Sequence, residues 1–276
     1  MIDAIRRRIV PALGLIVAAV PGLAGSDEAA SRLIDLLRFE ETVAIMRLEG
    51  ERYGAELGQE MIPDADQGAW RAEVSRIYDV HNMLSLVSAD FRKELADADL
   101  GPMIAYFETP DGQEIIGHEL EARHIFLDPD EEQAAIARFR EAEGRDPALA
   151  ARITRVIDDS DLVDFNVMGA LNASLMFYRG LRDGGAYEAT EDEIFADVWS
   201  QEDETRKSSE EWLEAFLLYA YEPLRPAQLE EYAAFYRTPA GRELNRAIFA
   251  SFDRMYEEIS YLIGRAIAEQ MKSVPL

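Results

Sequence analysis

The residues whose types and spacing come nearest to a chemical constellation are His118-Glu119-Leu120-Glu121-Ala122-Arg123-His124. Glu121-x-x-His124 has the spacing that carboxylate-bridged di-iron sites use inside four-helix bundles, because residues three apart project from one helix face. His118 lies three residues before Glu121, and Glu114 four before His118, so all four fit one face. Such a site needs a second Glu-x-x-His and two further carboxylates. The remaining histidine, His81, has Tyr78 where that Glu would stand, and neither an HExxH string nor any cysteine is present. His118, Glu121 and His124 are therefore an incomplete ligand set, and the expectation is a chain without a metal or other cofactor.

Other chemistries are harder still to place. There is no Gly-x-Ser-x-Gly elbow, no phosphate-cradling glycine loop and no Gly-x-Gly-x-x-Gly turn. The acidic runs Asp158 to Asp164, Glu191 to Glu193 and Glu202 to Glu204 lack the glycine at loop position six that an EF-hand needs, and read as solvated helix ends. A glycosidase needs two carboxylates at a set separation across a cleft, and 54 acidic residues nominate no pair. No catalytic residue is assigned. Lys and Arg number 28, so the net charge of −26 disfavours nucleic acid and anionic lipid, both of which are bound through basic excess.

The elements that would position any site are marked by two near-identical stretches, Tyr106-Phe107-Glu108-Thr109-Pro110-Asp111-Gly112-Gln113-Glu114 and Phe235-Tyr236-Arg237-Thr238-Pro239-Ala240-Gly241-Arg242-Glu243. Thr109 and Thr238 suit an N-cap, and Pro110 and Pro239 suit the first helical position, where a missing N–H costs nothing. Proline also turns the residue before it out of the helical region, ending the aromatic helix there. Each stretch is thus a helix-corner-helix, with Gly112 and Gly241 in the first turn of the new helix, where a neighbouring helix can pass close. The pair implies an internal duplication, and Phe139 to Asp146, which lacks Thr-Pro but keeps the aromatic and the glycine five residues later, reads as a third, decayed copy. After the second corner, Leu244, Ile248, Phe252, Met255, Ile259, Leu262 and Ala266 form one apolar stripe about six turns long. In the first copy Glu119 and Arg123 stand where the second has Ile248 and Phe252, which implies that the two halves bury different faces. His118, Glu121 and His124 correspond to Ala247, Ala250 and Asp253, so no metal set is repeated.

The segment from about Leu224 to Ala266, carrying Glu231-Tyr232-Ala233-Ala234-Phe235-Tyr236-Arg237-Thr238-Pro239-Ala240-Gly241, resembles the bacterial family known as domain of unknown function 2059. The resemblance implies an all-helical exported protein and carries over no catalytic residues.

Composition agrees with the helical class: 48% hydrophobic residues allow a sizeable core, and no sustained period-two run of β-branched residues occurs. The expected fold is all-α, a multi-helix bundle with duplicated helix-corner-helix units. Residues 1–24 read as a signal peptide: Arg6, Arg7 and Arg8, an apolar run from Ile9 to Val20 shorter than the ~18 residues of a spanning helix, then Gly22-Leu23-Ala24 before the cut. The rest divides into 25–127, a first helical half; 128–159, connecting helices; and 160–276, a second half. Helices are expected near Ser26 to Glu60 with breaks at Gly50 and Gly54, and from about Gln67 to Leu95. The functional reading is a periplasmic binding or interaction module for a protein or envelope component, with no stable membrane insertion. Two alternatives stand beside it, a carboxylate-dependent hydrolase of envelope glycan and a metal-binding helical protein.

Overall fold

A computed structural model of the chain describes residues 21–273. The arginines and apolar run of the expected signal peptide lie outside these residues, while Gly22, Leu23 and Ala24 fall in the first helix. Among the described residues the chain is all-α, with no strand. The helices are α1 (Pro21–Leu36), α2 (Phe39–Met61), α3 (Gln67–Ile77), α4 (Val80–Glu94), α5 (Gly101–Phe107), α6 (Pro110–Ile125), α7 (Pro129–Arg145), α8 (Pro147–Asp159), α9 (Leu162–Asp183), α10 (Glu191–Trp199), α11 (Glu202–Tyr221), α12 (Pro226–Tyr236) and α13 (Pro239–Ser273). One hydrophobic core runs from Ala30 to Ala268 through both halves, so the three segments drawn from the sequence share a single body.

Both corners form. Thr109 accepts a hydrogen bond from the Gly112 amide at 3.0 Å and donates to the Tyr106 carbonyl at 2.7 Å. Thr238 does the same with Gly241, at 3.0 Å, and with Phe235, at 2.6 Å. The helix that passes close to each glycine is the one that has just ended: a Cβ on Gly112 would lie 2.6 Å from the Tyr106 carbonyl oxygen, and one on Gly241 would overlap that of Phe235. The two corners also meet. Tyr106 stacks on Phe235 with ring centres 4.5 Å apart, and Phe107 meets Phe235 edge-on at 5.5 Å.

Three expectations are corrected. Gly50 and Gly54 do not break α2. With Gly58 they recur every fourth residue and open a groove on one face, which Tyr78, Val74 and Trp70 fill, and Trp70 Nε1 donates to the Gly54 carbonyl at 2.7 Å. The predicted helix over Gln67 to Leu95 is two helices, because Asp79 caps α4 through the Asn82 amide at 3.0 Å while Tyr78 turns into that groove. Phe139 to Asp146 does not repeat the corner in register: α7 runs on through Gly144 to Arg145, and the turn comes only at Asp146-Pro147, where Asp146 caps α8 through the Leu149 amide at 3.1 Å.

The long helix α13 lies across the core, with Leu244, Met255, Ile259, Ile263 and Ile267 buried. Leu262 is 38% exposed, and Ile263 takes the inward place expected of it. The stripe from Leu244 to Ala266 takes 22 residues for six turns, a period above 3.6, so it drifts round so long a helix, and the far end must also turn Gly264 towards α9. There Gly180 of α9 faces the Tyr261 and Arg265 backbone of α13, Gly264 of α13 faces the Phe177 and Leu181 backbone of α9, and Gly184, just past the end of α9, faces the Ala268 methyl.

Candidate ligand-binding cavity

The drift of α9 from tight to loose packing makes the site. Towards its C-terminus the helix is pressed against α13, but one face of its first half carries Asn166, Gly169, Ala170 and Ala173 at the 3,1,3 spacing of a helical stripe. These short side chains cannot reach the aromatic residues of α11, α12 and α13 opposite. A cavity of about 580 Å³, partly open to solvent, is left between them. Most of its wall is apolar, with Phe39 from α2, Ile116 from α6, Trp212 and Phe216 from α11, and Phe249 and Phe252 from α13.

The polar groups that reach the cavity are organised. Glu119 of α6 accepts hydrogen bonds at one oxygen, Oε1, from the phenols of Tyr221 (2.7 Å) and Tyr232 (2.8 Å). Tyr236 stands 3.4 Å behind Tyr232. Burial pushes the Glu119 carboxyl above its ordinary range, and the two phenol donors pull part of the way back. The same burial, with the Glu119 charge beside it, raises the phenols of Tyr221 and Tyr232. One turn along, Arg123 pairs with Glu49 of α2 through two hydrogen bonds, of 2.9 and 2.8 Å, and approaches the Tyr256 hydroxyl at 3.5 Å. Burial works against the guanidinium charge, but Glu49 more than compensates, so Arg123 stays cationic.

Asp253 completes the set. It projects from α13 over Gly169, so closely that a Cβ there would stand 2.5 Å from Oδ1. No hydrogen bond or ion pair to it is found among the described residues. Burial, with the Glu257 charge adding to it, raises its carboxyl to about 6. The sign of the pH effect follows. Between about pH 4 and pH 6 the folded protein holds a proton that the unfolded chain has released, so stability falls as pH rises through this window. Asp253→Asn is therefore expected to melt higher than wild type at neutral pH, by the equivalent of about 1–2 kcal/mol after allowance for partial solvation. The gain should vanish below about pH 4. Thermal melts of the two proteins across that range check it, and parallel curves would mean that Asp253 is solvated.

Two of the other openings are at least as large as the central cavity. One, of about 620 Å³ between α3, α4 and α13, is rimmed by charges already satisfied within their own helices, Arg76 by Glu73 and Arg265 by Glu269. The other, of about 580 Å³, lies behind the Arg123–Glu49 pair and shares Met46, Ala173 and Tyr256 with the central cavity. That ion pair and Tyr256 are thus the partition between two chambers.

The residues singled out from sequence go elsewhere. His118 lies 3.6 Å from Glu121 through Nδ1, but the Glu121 side chain is 63% exposed, His124 is exposed, and Glu114 receives a hydrogen bond from Gln228 at 2.7 Å. The three do not converge, and among the described residues no group of three or more His, Asp or Glu side chains is placed to hold a metal ion. Thr109, Pro110, Gly112, Thr238, Pro239 and Gly241 shape the corners and do not line the cavity. Glu119 and Arg123 do, and so do Ile248 and Phe252 at the corresponding places of the second stretch. The expectation that the two halves bury different faces is thereby corrected: both present that face to one cavity. The signal was in the sequence, as two charged residues standing at stripe positions.

Comparison of the chain with protein-family models, with curated proteins and with solved structures finds no match.

Proposed function

We propose that this is an exported bacterial binding protein whose central cavity holds a small organic ligand. The observation that carries the reading is the cavity itself: about 580 Å³, mostly apolar, with a few oriented polar groups, which is how small-molecule sites are built. Export is supported by Arg6 to Arg8 and the short apolar run after them, and by the resemblance of Leu224 to Ala266 to an exported family. Among the described residues no helix is long and apolar enough to cross a membrane. The matched geometry of the two Thr-Pro corners supports descent from a duplicated unit, with the cavity between its copies.

The test is to fill the cavity. Ala173→Phe places a ring where α9 now leaves room, and a ligand at 100-fold its dissociation constant stabilises by about 2.7 kcal/mol. Small amphipathic compounds that bind should raise the wild-type melting temperature by about 5–10 °C and leave the filled variant unmoved. Equal shifts in both proteins would place binding elsewhere and sink the reading.

One observation favours a second reading, a carboxylate-dependent hydrolase: Glu119 and Asp253 line the same cleft. Their electrostatics argue against a catalytic pair. Two carboxyl groups within glycosidase distance in a partly buried site would raise one another, yet Glu119 is raised by burial, and Asp253 by burial and Glu257.

A further inference from the structure

We infer that the cavity takes an organic cation, an amine or quaternary ammonium on an apolar body, with Asp253 as its counter-ion and aromatic rings as its walls. This rests on the cavity being a ligand site and adds the class of ligand.

The charges decide it. Glu119, Arg123 and Asp253 are the charged types in the lining, and the one cation among them is already paired, its Nε and Nη2 being held by Glu49. Asp253 has no partner among the described residues, and every element around it withholds one. Its own helix offers Tyr256 and Glu257, the latter engaged with Arg254 at 3.3 Å. From α9 it meets Gly169, with Asn166 and Ala173 on the same face. From α6 come Glu119 and the occupied Arg123. The site therefore carries uncompensated negative charge at a half-buried position, where an unpaired carboxylate is costly. A ligand with a positive charge would relieve that cost, and an anion would add to it.

The walls point the same way. Phe249 lies one helical turn before Asp253 and Tyr256 nearly one turn after, so both rings share the face from which the carboxylate projects. Trp212 and Phe216, stacked on each other at 4.8 Å, add aromatic surface from α11. Aromatic faces attract cations, and ammonium groups are recognised by such rings around a carboxylate. The protein's net charge of −26 favours the approach of a cation over an anion.

Three probes of nearly the same shape separate the possibilities: 2-phenylethylammonium, its neutral isostere propylbenzene, and the anion 3-phenylpropanoate. Calorimetry at about pH 8, with Asp253 ionised, should show the ammonium binding at least about tenfold more tightly than the other two. In Asp253→Asn that preference should disappear while propylbenzene binding persists. Should wild type bind propylbenzene as tightly as the ammonium, or should the preference survive in Asp253→Asn, the cation inference is wrong while the ligand site stands. If none of the three binds at millimolar concentration, the ligand-site reading fails along with it.

Discussion

Gly180→Ala should destabilise the protein by about 3 kcal/mol or more, at or above the top of the range for adding one methyl group to a packed interior. The reason is that this methyl meets backbone. A Cβ on Gly180 would overlap the Tyr261 carbonyl oxygen and lie 2.9 Å from the Arg265 amide nitrogen, and neither atom can rotate away. From the other side, a Cβ on Gly264 would overlap the Phe177 carbonyl and approach the Leu181 amide at 3.1 Å. Either substitution must force α9 and α13 apart, loosening Leu181, Ile263 and Ile267 between them. Once they have parted, the second methyl costs little. Gly180→Ala/Gly264→Ala should thus be less damaging than the sum of the single changes, as expected for coupled neighbours. Gly144→Ala supplies the contrast. That glycine is exposed in α7 with nothing within 4 Å of the added methyl, so the same chemical change should stabilise by about 0.5–1 kcal/mol. Urea unfolding of the four variants measures the set. A neutral Gly180→Ala would mean that the helices do not touch there, and the cavity wall on the same helix would lose its anchor.

Why the fold was legible and the site was not comes down to how far each signal reaches. Thr-Pro corners, aspartate caps and the α13 stripe act within a turn or two of helix, so residue order alone reveals them. The glycines of α2 and α9 act across the core. On one helix Gly50, Gly54 and Gly58 look like interruptions, and they become a groove only when Trp70, Val74 and Tyr78 arrive from the next. The cavity is further removed again, since it is a space left by Gly169, Ala170 and Ala173 facing rings from helices distant in sequence. The histidines drew attention because their type suggests chemistry, yet they lie towards the surface of α6. Glu119 and Arg123 of the same helix looked like divergence in a core stripe. Charged residues at apolar stripe positions need partners, and here those partners are Tyr221, Tyr232 and Glu49, none of which is near in sequence.

Arg123→Met should cost about 2–3 kcal/mol, somewhat below the range for breaking a wholly buried ion pair, because the Arg123 and Glu49 side chains keep 23% and 27% of their surface exposed. Most of that loss is the stranding of Glu49, which loses both hydrogen bonds from its guanidinium partner. Removing both charges tests this. Glu49→Leu/Arg123→Met should recover most of the stability, since a well-packed apolar pair often matches a buried ion pair, whereas a double mutant as unstable as Arg123→Met would show that the methionine merely packs badly. Glu49→Gln probes function with the same pair. It frees the guanidinium on the cavity side, where Asp253 and Glu119 are the remaining carboxylates, so the negative charge of the site becomes compensated from within. The preference for 2-phenylethylammonium should then fall by about tenfold or more, and 3-phenylpropanoate should begin to bind. Glu49 lines the second chamber and not the first, so a change in ligand charge preference on its replacement can reach the cavity only through Arg123.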